Sequence, residues 1–141
     1  MKKRTHKYLL TNLILWVSLY LISRFILNNE YLFGWIAKNW KFYGIVCLLP
    51  LFFLIFGKRY VSVIHSFGIF IGAFIGNYFG AFLLVQNIQK ITSNMSQETQ
   101  YRLNTHRGFE IWMVSIFVAM IVGFIVERYM KKKETMRYES L

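Results

Sequence analysis

Four polar side chains lie close together shortly before the last long apolar segment of the chain. They are Arg102, His106, Arg107 and Glu110. A histidine and a carboxylate can exchange protons near neutral pH, which is the minimum that general acid–base chemistry requires. No nucleophile is identifiable beside them, so the set is thin for catalysis. We interpret Arg102, His106 and Arg107 as outer-surface residues, either in an ordinary solvated loop or in a patch that binds lipid headgroups or an acidic partner.

Other polar residues lie inside or at the borders of the apolar segments, where a polar group is costly and is a functional candidate. Asn12, Trp16, Tyr20 and Arg24 recur every four residues, and we expect this stripe to face the other helices. Arg24 and Glu110 both fall near the outer ends of their predicted helices. We therefore predict an ion pair between them, with extension of the Arg24 side chain to the outer headgroups as the alternative.

His65 and Asn77 are the remaining intramembrane candidates, and both lie in the third apolar segment. A metal or proton-relay role for His65 would need a second ligand at the same level, and only Glu127 is available there. We expect the imidazole to bond to a carbonyl group instead. Asn77 should lie near the middle of the bilayer and form a hydrogen bond with another helix.

Motifs that identify common enzymes and transporters are missing from the sequence. The chain has no nucleophile elbow, phosphate-binding loop, metal-ligand spacing or pair of intramembrane carboxylates. We therefore predict no catalytic residue, no metal and no cofactor, and we favour a protein that is not an enzyme.

The most specific pattern is a set of four glycines at strict four-residue spacing, termed here the glycine stripe: Gly68, Gly72, Gly76 and Gly80. Residues four apart share a helix face, so the pattern is that of a glycine zipper, in which two helix backbones approach closely. Ala73 and Ala81 add small residues beside it. The last apolar segment carries a complementary set of small residues: Ser115, Ala119 and Gly123. We favour pairing of the two sets within one chain over pairing between subunits.

The elements that must position these residues follow from composition. Of 141 residues, 56% are apolar and only 16% are charged, and the single cysteine permits no internal disulfide. A soluble domain would have roughly a quarter of its residues charged. The composition therefore excludes a soluble globule, a disulfide scaffold, a disordered tail and a zinc module. It predicts an all-α integral membrane protein.

Four segments match, or nearly match, the roughly 20 apolar residues that a membrane-spanning helix needs. They are 8–27, 42–57, 60–85 and 109–126. We predict that they form a bundle of four transmembrane helices.

Two longer connections separate these spans. The segment 28–41 is rich in aromatic residues, and we expect it at the outer membrane interface as a loop or a short surface helix. The segment 86–108 is the outer polar loop. Its apolar residues Ile88, Ile91 and Met95 recur at helical spacing, which predicts that the third helix continues or that a surface helix follows.

The distribution of basic residues predicts the orientation. Eleven lysines and arginines lie in the segments 1–7, 58–59 and 127–141, and five lie in the connections on the other side. Basic segments favour the cytoplasm, so both termini should be cytoplasmic. Topology and attraction to anionic lipids at the cytoplasmic face then explain the net charge of +11, and we expect no nucleic-acid binding.

These features favour a small multi-pass protein of a plasma (inner) membrane, and the richness in Ile, Phe, Lys and Asn points to a bacterial one. Our first hypothesis is a non-catalytic protein that packs against a membrane partner as an accessory, regulatory or immunity-type component. The alternative is a homo-oligomeric pore or holin-like lysis protein. A third is a small membrane enzyme or transporter that uses Arg24, His65, Asn77 and the outer polar cluster.

Overall fold

The computed structural model describes the backbone of residues 2–139 and the side chains of residues 5–137. Its regular secondary structure over that range consists of helices, with no strand, which confirms the predicted all-α class. A π-helical turn, Ile22–Ile26, directly follows the first of six α-helices. The α-helices are α1 Lys2–Leu21, α2 Tyr31–Lys38, α3 Trp40–Ile55, α4 Arg59–Ile88, α5 Gln97–Leu103 and α6 Gly108–Glu139.

The two predicted terminal tails are partly described. Residues 2–7 belong to α1 and residues 127–139 belong to α6, so both helices continue through the basic segments. Met1 and residues 140–141 lie outside the described backbone, and the side chains of residues 1–4 and 138–141 lie outside the described side chains.

Three stretches are long and apolar enough to cross a membrane: Thr5–Ile26, Arg59–Ile88 and Gly108–Arg137. A fourth candidate is the pair formed by α2 and α3, whose axes meet at 90°. The break between them falls at Asn39, whose side-chain amide donates a hydrogen bond to the carbonyl of Trp35 at 2.9 Å. An Asn side chain that binds the backbone in this way competes with helix continuation. A count of four spans therefore requires that α2 and α3 form one broken span.

Segment 28–41 contains the short helix α2, part of which is buried within the protein, and its position at the outer membrane interface stays a prediction. Leu32, Phe33 and Ile36 are fully buried. The ring of Phe33 packs edge-on against Phe74 of α4, with 5.0 Å between centroids. Aromatic side chains suit a membrane interface and a protein core equally well, so the composition of this segment does not encode the burial of Phe33.

Helix α4 is at the centre of the molecule, because α1, α2, α3 and α6 all pack against it. Ile69 of α4 and Trp112 of α6 are fully buried, and the Trp112 indole N–H donates to the Ile69 carbonyl at 3.0 Å. The same core extends to Leu19 of α1 and Tyr43 of α3. Side chains on α4 are therefore in a position to contact all four of these helices.

In the outer polar loop, for which we predict either a continued third helix or a following helix, the structure has a separate short helix. α4 ends at Ile88, and residues 91–96 are not helical. A short helix, α5, begins only after Ser96, whose hydroxyl accepts a hydrogen bond from the Thr99 N–H at 3.3 Å. The Thr, Ser and Asn residues at 92–94 and 96 favour turns and caps, and this preference outweighs the apolar spacing.

Candidate functional site

The glycine stripe lies in the seam between α4 and α6, which is the most extensive helix–helix contact in the molecule. A Cβ atom added at Gly68 would collide with the side chain of Ala119. One added at Gly72 would lie 2.9 Å from the Cβ of Ser115. These two glycines therefore allow an approach of the helices that any larger residue would oppose.

The seam continues in both directions along the two helices. A Cβ added at Gly76 would lie 2.5 Å from the Gly108 carbonyl oxygen, and one at Gly80 would lie 2.7 Å from the Gly108 Cα. At the other end, a Cβ added at Gly123 would lie 2.9 Å from the Cα of Val61. Positions that rise along α4 meet positions that fall along α6, so the helices are antiparallel. The glycine stripe is in contact with the small residues of α6 within one chain.

One edge of this seam remains open as a shallow apolar groove with a volume of about 400 Å³, termed here the seam groove. Small residues of both helices line it: Gly68, Gly72, Ser115 and Ala119. Exposed branched side chains flank them, including Ile71 and Val118. Ala73 is buried in the core and Ala81 is half-buried, and neither lines the groove.

Asn77 joins α4 to the start of α2. Its Oδ1 accepts a hydrogen bond from the Leu32 N–H at 3.0 Å, and its Nδ2 donates to Oε2 of Glu30 at 2.9 Å. Leu32 is in the first turn of α2, where N–H groups have no partner within the helix, and the N-cap residue Glu30 makes no side-chain cap. A buried side chain from another helix thus caps α2. Both polar atoms of the Asn77 side chain are bonded.

His106 lies beside this junction and packs flat on Tyr31, with 4.0 Å between ring centroids. Its Nδ1 accepts a hydrogen bond from the Gly108 N–H at 3.0 Å, immediately before α6 begins. Burial lowers the pKa of His106, and the charge of Glu110, the Asn77 backbone and the charge of Glu30 act in the opposite direction. The neutral imidazole is the form that can accept the Gly108 bond.

A second group of buried polar side chains joins α1 to the first half of α4. The Asn12 amide donates to the Ser62 hydroxyl at 2.7 Å, and the Trp16 indole N–H donates to the Ser66 hydroxyl at 3.1 Å. Asn12 and Trp16 therefore face the other helices. Ser62 and Ser66 act as their acceptors on α4.

His65 corrects the expectation of a bond to a carbonyl group. It is 1% exposed, yet neither ring nitrogen has a hydrogen-bond partner among the described residues. The Asn12 Oδ1 atom is likewise buried and unbonded. Carbonyl groups within α4 are engaged by the helix, and the imidazole packs against the ring of Phe53 of α3 at 5.7 Å between centroids. The residue is therefore a buried polar group whose bonding capacity is unmet.

The predicted ion pair between Arg24 and Glu110 is wrong for this structure. Both side chains are exposed, and no ion pair joins them. Helix α1 packs mainly against α3 and α4, whereas Glu110 lies at the start of α6. Arg24 also lies in the π-helical turn Ile22–Ile26, whose hydrogen bonding departs from the α-helical pattern, and its side chain is exposed whereas Asn12 and Trp16 are buried.

Two carboxylates with clear structural partners were missed in the sequence. Glu30 accepts from Asn77, as described above. Glu127 is 3% exposed; its Oε2 accepts from the Tyr60 N–H at 2.8 Å at the start of α4, and its Oε1 lies 3.5 Å from the Lys131 Nζ. A lone acidic residue at the end of an apolar segment was the available signal, because such a residue can cap a neighbouring helix.

The outer cluster does not form an assembled catalytic set. Arg102 and Arg107 are exposed and take part in no ion pair within residues 5–137. His106 lies beside the Asn77 junction and bonds to Gly108. No group of three His, Cys, Asp or Glu side chains in the described part of the chain could hold a metal ion.

Comparison with known proteins finds no relative. No protein-family description, no characterised protein sequence and no solved structure matches the chain.

Proposed function

We propose that this chain is a small multi-pass protein of a plasma membrane that acts without catalysis, by binding a transmembrane helix of a partner protein in the seam groove. The observation that supports the proposal is the shape of that groove. Small residues form its base on both helices, and exposed Ile and Val side chains flank it. In lipid, helices associate where small residues allow close backbone contact, so such a surface suits another helix.

The groove is a separate surface from the contact inside the chain. The inward side of the glycine stripe is occupied by α6, as the close approach of Gly68 to Ala119 illustrates. The exposed edge of the same seam, with Ile71 and Val118 each about half exposed, is continuous with that contact. A partner helix that packs there would add a third helix to the close contact between α4 and α6.

The membrane placement in this proposal has four spans and cytoplasmic termini. Lys7 of α1, Arg59 of α4 and Lys131 of α6 line one pocket, so three basic segments of the sequence meet at one end of the bundle. Basic residues gathered at one end support a cytoplasmic position for that end. Anionic lipids of the cytoplasmic leaflet would be attracted to the same end.

Site-specific photo-crosslinking tests the proposal. A benzoylphenylalanine at position 118 would lie at the groove, and one at position 52 would serve as the control, because Val118 and Phe52 have similar exposure (51% and 56%) but lie on different helices. We expect one discrete adduct with a second protein from position 118 and none from position 52. Adducts of equal yield from both positions, or an adduct between two copies of this chain, would contradict the proposal.

A further inference from the structure

Arg24 has no ion-pair partner among the described residues that would account for its position. It lies in the π-helical turn at the end of a candidate membrane span, and its side chain is exposed and has no carboxylate partner in the described structure. An arginine near the end of an apolar segment extends its guanidinium group toward the headgroup region, where an anion or water can meet its charge. π-Helical turns are rare and frequently occur at functional sites.

The side chain lines a pocket of about 540 Å³ between this turn and α2, termed here the arginine pocket. Its lining residues are Arg24, Asn28, Asn29, Gly34, Ala37 and Lys38. Gly34 allows the loop at Asn28 to pack closely on α2 beside this pocket, because a Cβ at this position would lie 2.5 Å from the Asn28 carbonyl oxygen. The loop can therefore close over α2 only where a glycine is present.

The charge of the arginine pocket defines its ligand class. Two cations and two side-chain amides line it, and none of its lining residues is acidic. A guanidinium group binds phosphate oxygens in a paired geometry, and amide N–H groups add further donors. The lining offers no carboxylate for an amine, so an anionic phosphate group is preferred over a zwitterionic headgroup.

The surroundings of the pocket indicate where that phosphate comes from. Phe25 and Ile26, which directly follow Arg24, are 73% and 71% exposed. Such apolar side chains beside a cationic pocket match the two ends of a lipid, with the headgroup in the pocket and acyl chains along the apolar residues. We propose that the arginine pocket binds the phosphate headgroup of an anionic phospholipid. This inference rests on the membrane placement in the proposed function, but not on the seam groove or its partner.

Lipid titration of the full chain in a mild non-ionic detergent tests the proposal. Thermal unfolding is followed by tryptophan fluorescence while phosphatidylglycerol, phosphatidylcholine or inorganic phosphate is added. We expect selective stabilisation by phosphatidylglycerol. Arg24→Gln and Lys38→Gln should each raise the half-saturating lipid concentration by roughly tenfold, because each removes a charge-assisted contact. The control is Lys41→Gln, a nearby exposed lysine that does not line the pocket, and its affinity should equal that of the wild type.

Three results of the titration would overturn the proposal. Equal stabilisation by both lipids, or equal weakening by Lys41→Gln and Lys38→Gln, would show that the attraction is not specific to the pocket. Equal stabilisation by inorganic phosphate would assign the site to a free anion. If Arg24→Gln does not fold, Lys38→Gln and Arg24→Lys give the same comparison. Recovery of the wild type in the membrane fraction tests the membrane placement separately.

Discussion

Helix α4 carries two buried polar side chains whose surroundings differ sharply. Asn77, in its second half, has both side-chain polar atoms bonded, one to the Leu32 N–H and one to Glu30. His65, near its beginning, is equally buried and has no hydrogen-bond partner on either nitrogen among the described residues. The same helix thus contains one satisfied polar junction and one unsatisfied polar group.

This difference assigns a structural role to Asn77 and leaves His65 without one. A buried polar group that forms all its bonds stabilises one arrangement, whereas an unbonded one weakens the folded state. Asn77 is accounted for by the attachment of α2. His65 has no such account, so its removal should leave the fold intact. Four substitutions or titrations test this contrast.

The largest effect should come from Asn77→Leu. The change removes both hydrogen bonds and leaves the Leu32 N–H buried without an acceptor. We expect the free energy of unfolding in detergent to fall by about 2–4 kcal/mol. Asn94→Leu, at an exposed position in the loop before α5, is the matched control and should change stability by less than about 0.5 kcal/mol. Similar losses for both variants would remove the structural role from Asn77.

Gly80→Ala should disturb the packing of His106 and Gly108 beside the Asn77 junction without altering Asn77. The added methyl group would lie 2.6 Å from the His106 Cε1 and 2.7 Å from the Gly108 backbone. Because a backbone neighbour cannot easily move, we expect a loss of about 1–3 kcal/mol in thermal or denaturant unfolding. At Gly44, no atom lies within 4 Å of an added Cβ. Gly44→Ala should therefore be neutral or stabilising by up to about 1 kcal/mol, and a loss there comparable to that of Gly80→Ala would contradict this explanation.

His65→Leu should have the opposite sign to Asn77→Leu. The imidazole has no hydrogen bond to lose within the described residues, and an apolar side chain of similar size suits its contact with Phe53. We expect stability to be unchanged or to rise by up to about 1 kcal/mol. The same unfolding assay measures it. A loss as large as that of Asn77→Leu would mean that His65 has partners of comparable strength.

The smallest effect should be a dependence of stability on pH that comes from His106. Burial lowers the pKa of His106 from the ordinary value of 6.5, so the unfolded chain binds its proton more readily than the folded chain does. The stabilisation is therefore complete above about pH 6.5 and is lost as pH falls below that value. In a His65→Leu background, the melting temperature should fall as the pH is lowered from 7.5 to 5.0. Adding His106→Gln should make the melting temperature less dependent on pH over this range. An unchanged slope in His106→Gln would exclude His106 as the origin.

Contacts between residues were predicted most accurately from the sequence where they depend on the spacing of residues along one helix. The four glycines share a helix face by periodicity alone, and the small residues Ser115 and Ala119 were identifiable as partners in the same way. The helical class followed from apolar length. None of these inferences needed knowledge of how distant parts of the chain meet.

Some of the differences between the sequence predictions and the structure depend on tertiary position. Burial of Phe33 and the bonding of Glu30 to Asn77 both depend on where α2 docks, and a short aromatic segment does not encode that position. The four-residue spacing of Asn12, Trp16, Tyr20 and Arg24 did not place Arg24 on the buried face, because Arg24 lies in a π-helical turn. The carbonyl partner expected for His65 failed because a helix interior leaves few free acceptors.

The central claim is that the chain binds a partner helix through the seam groove, and the mass of the detergent-extracted complex tests it most directly. The tagged protein would be extracted at near-native expression and its mass compared with those of Val118→Trp, which fills the groove, and Phe52→Trp, which does not line it. We expect a stoichiometric second protein with the wild type and with Phe52→Trp, and its loss with Val118→Trp. A monomer or a homo-oligomer in all three preparations would contradict it.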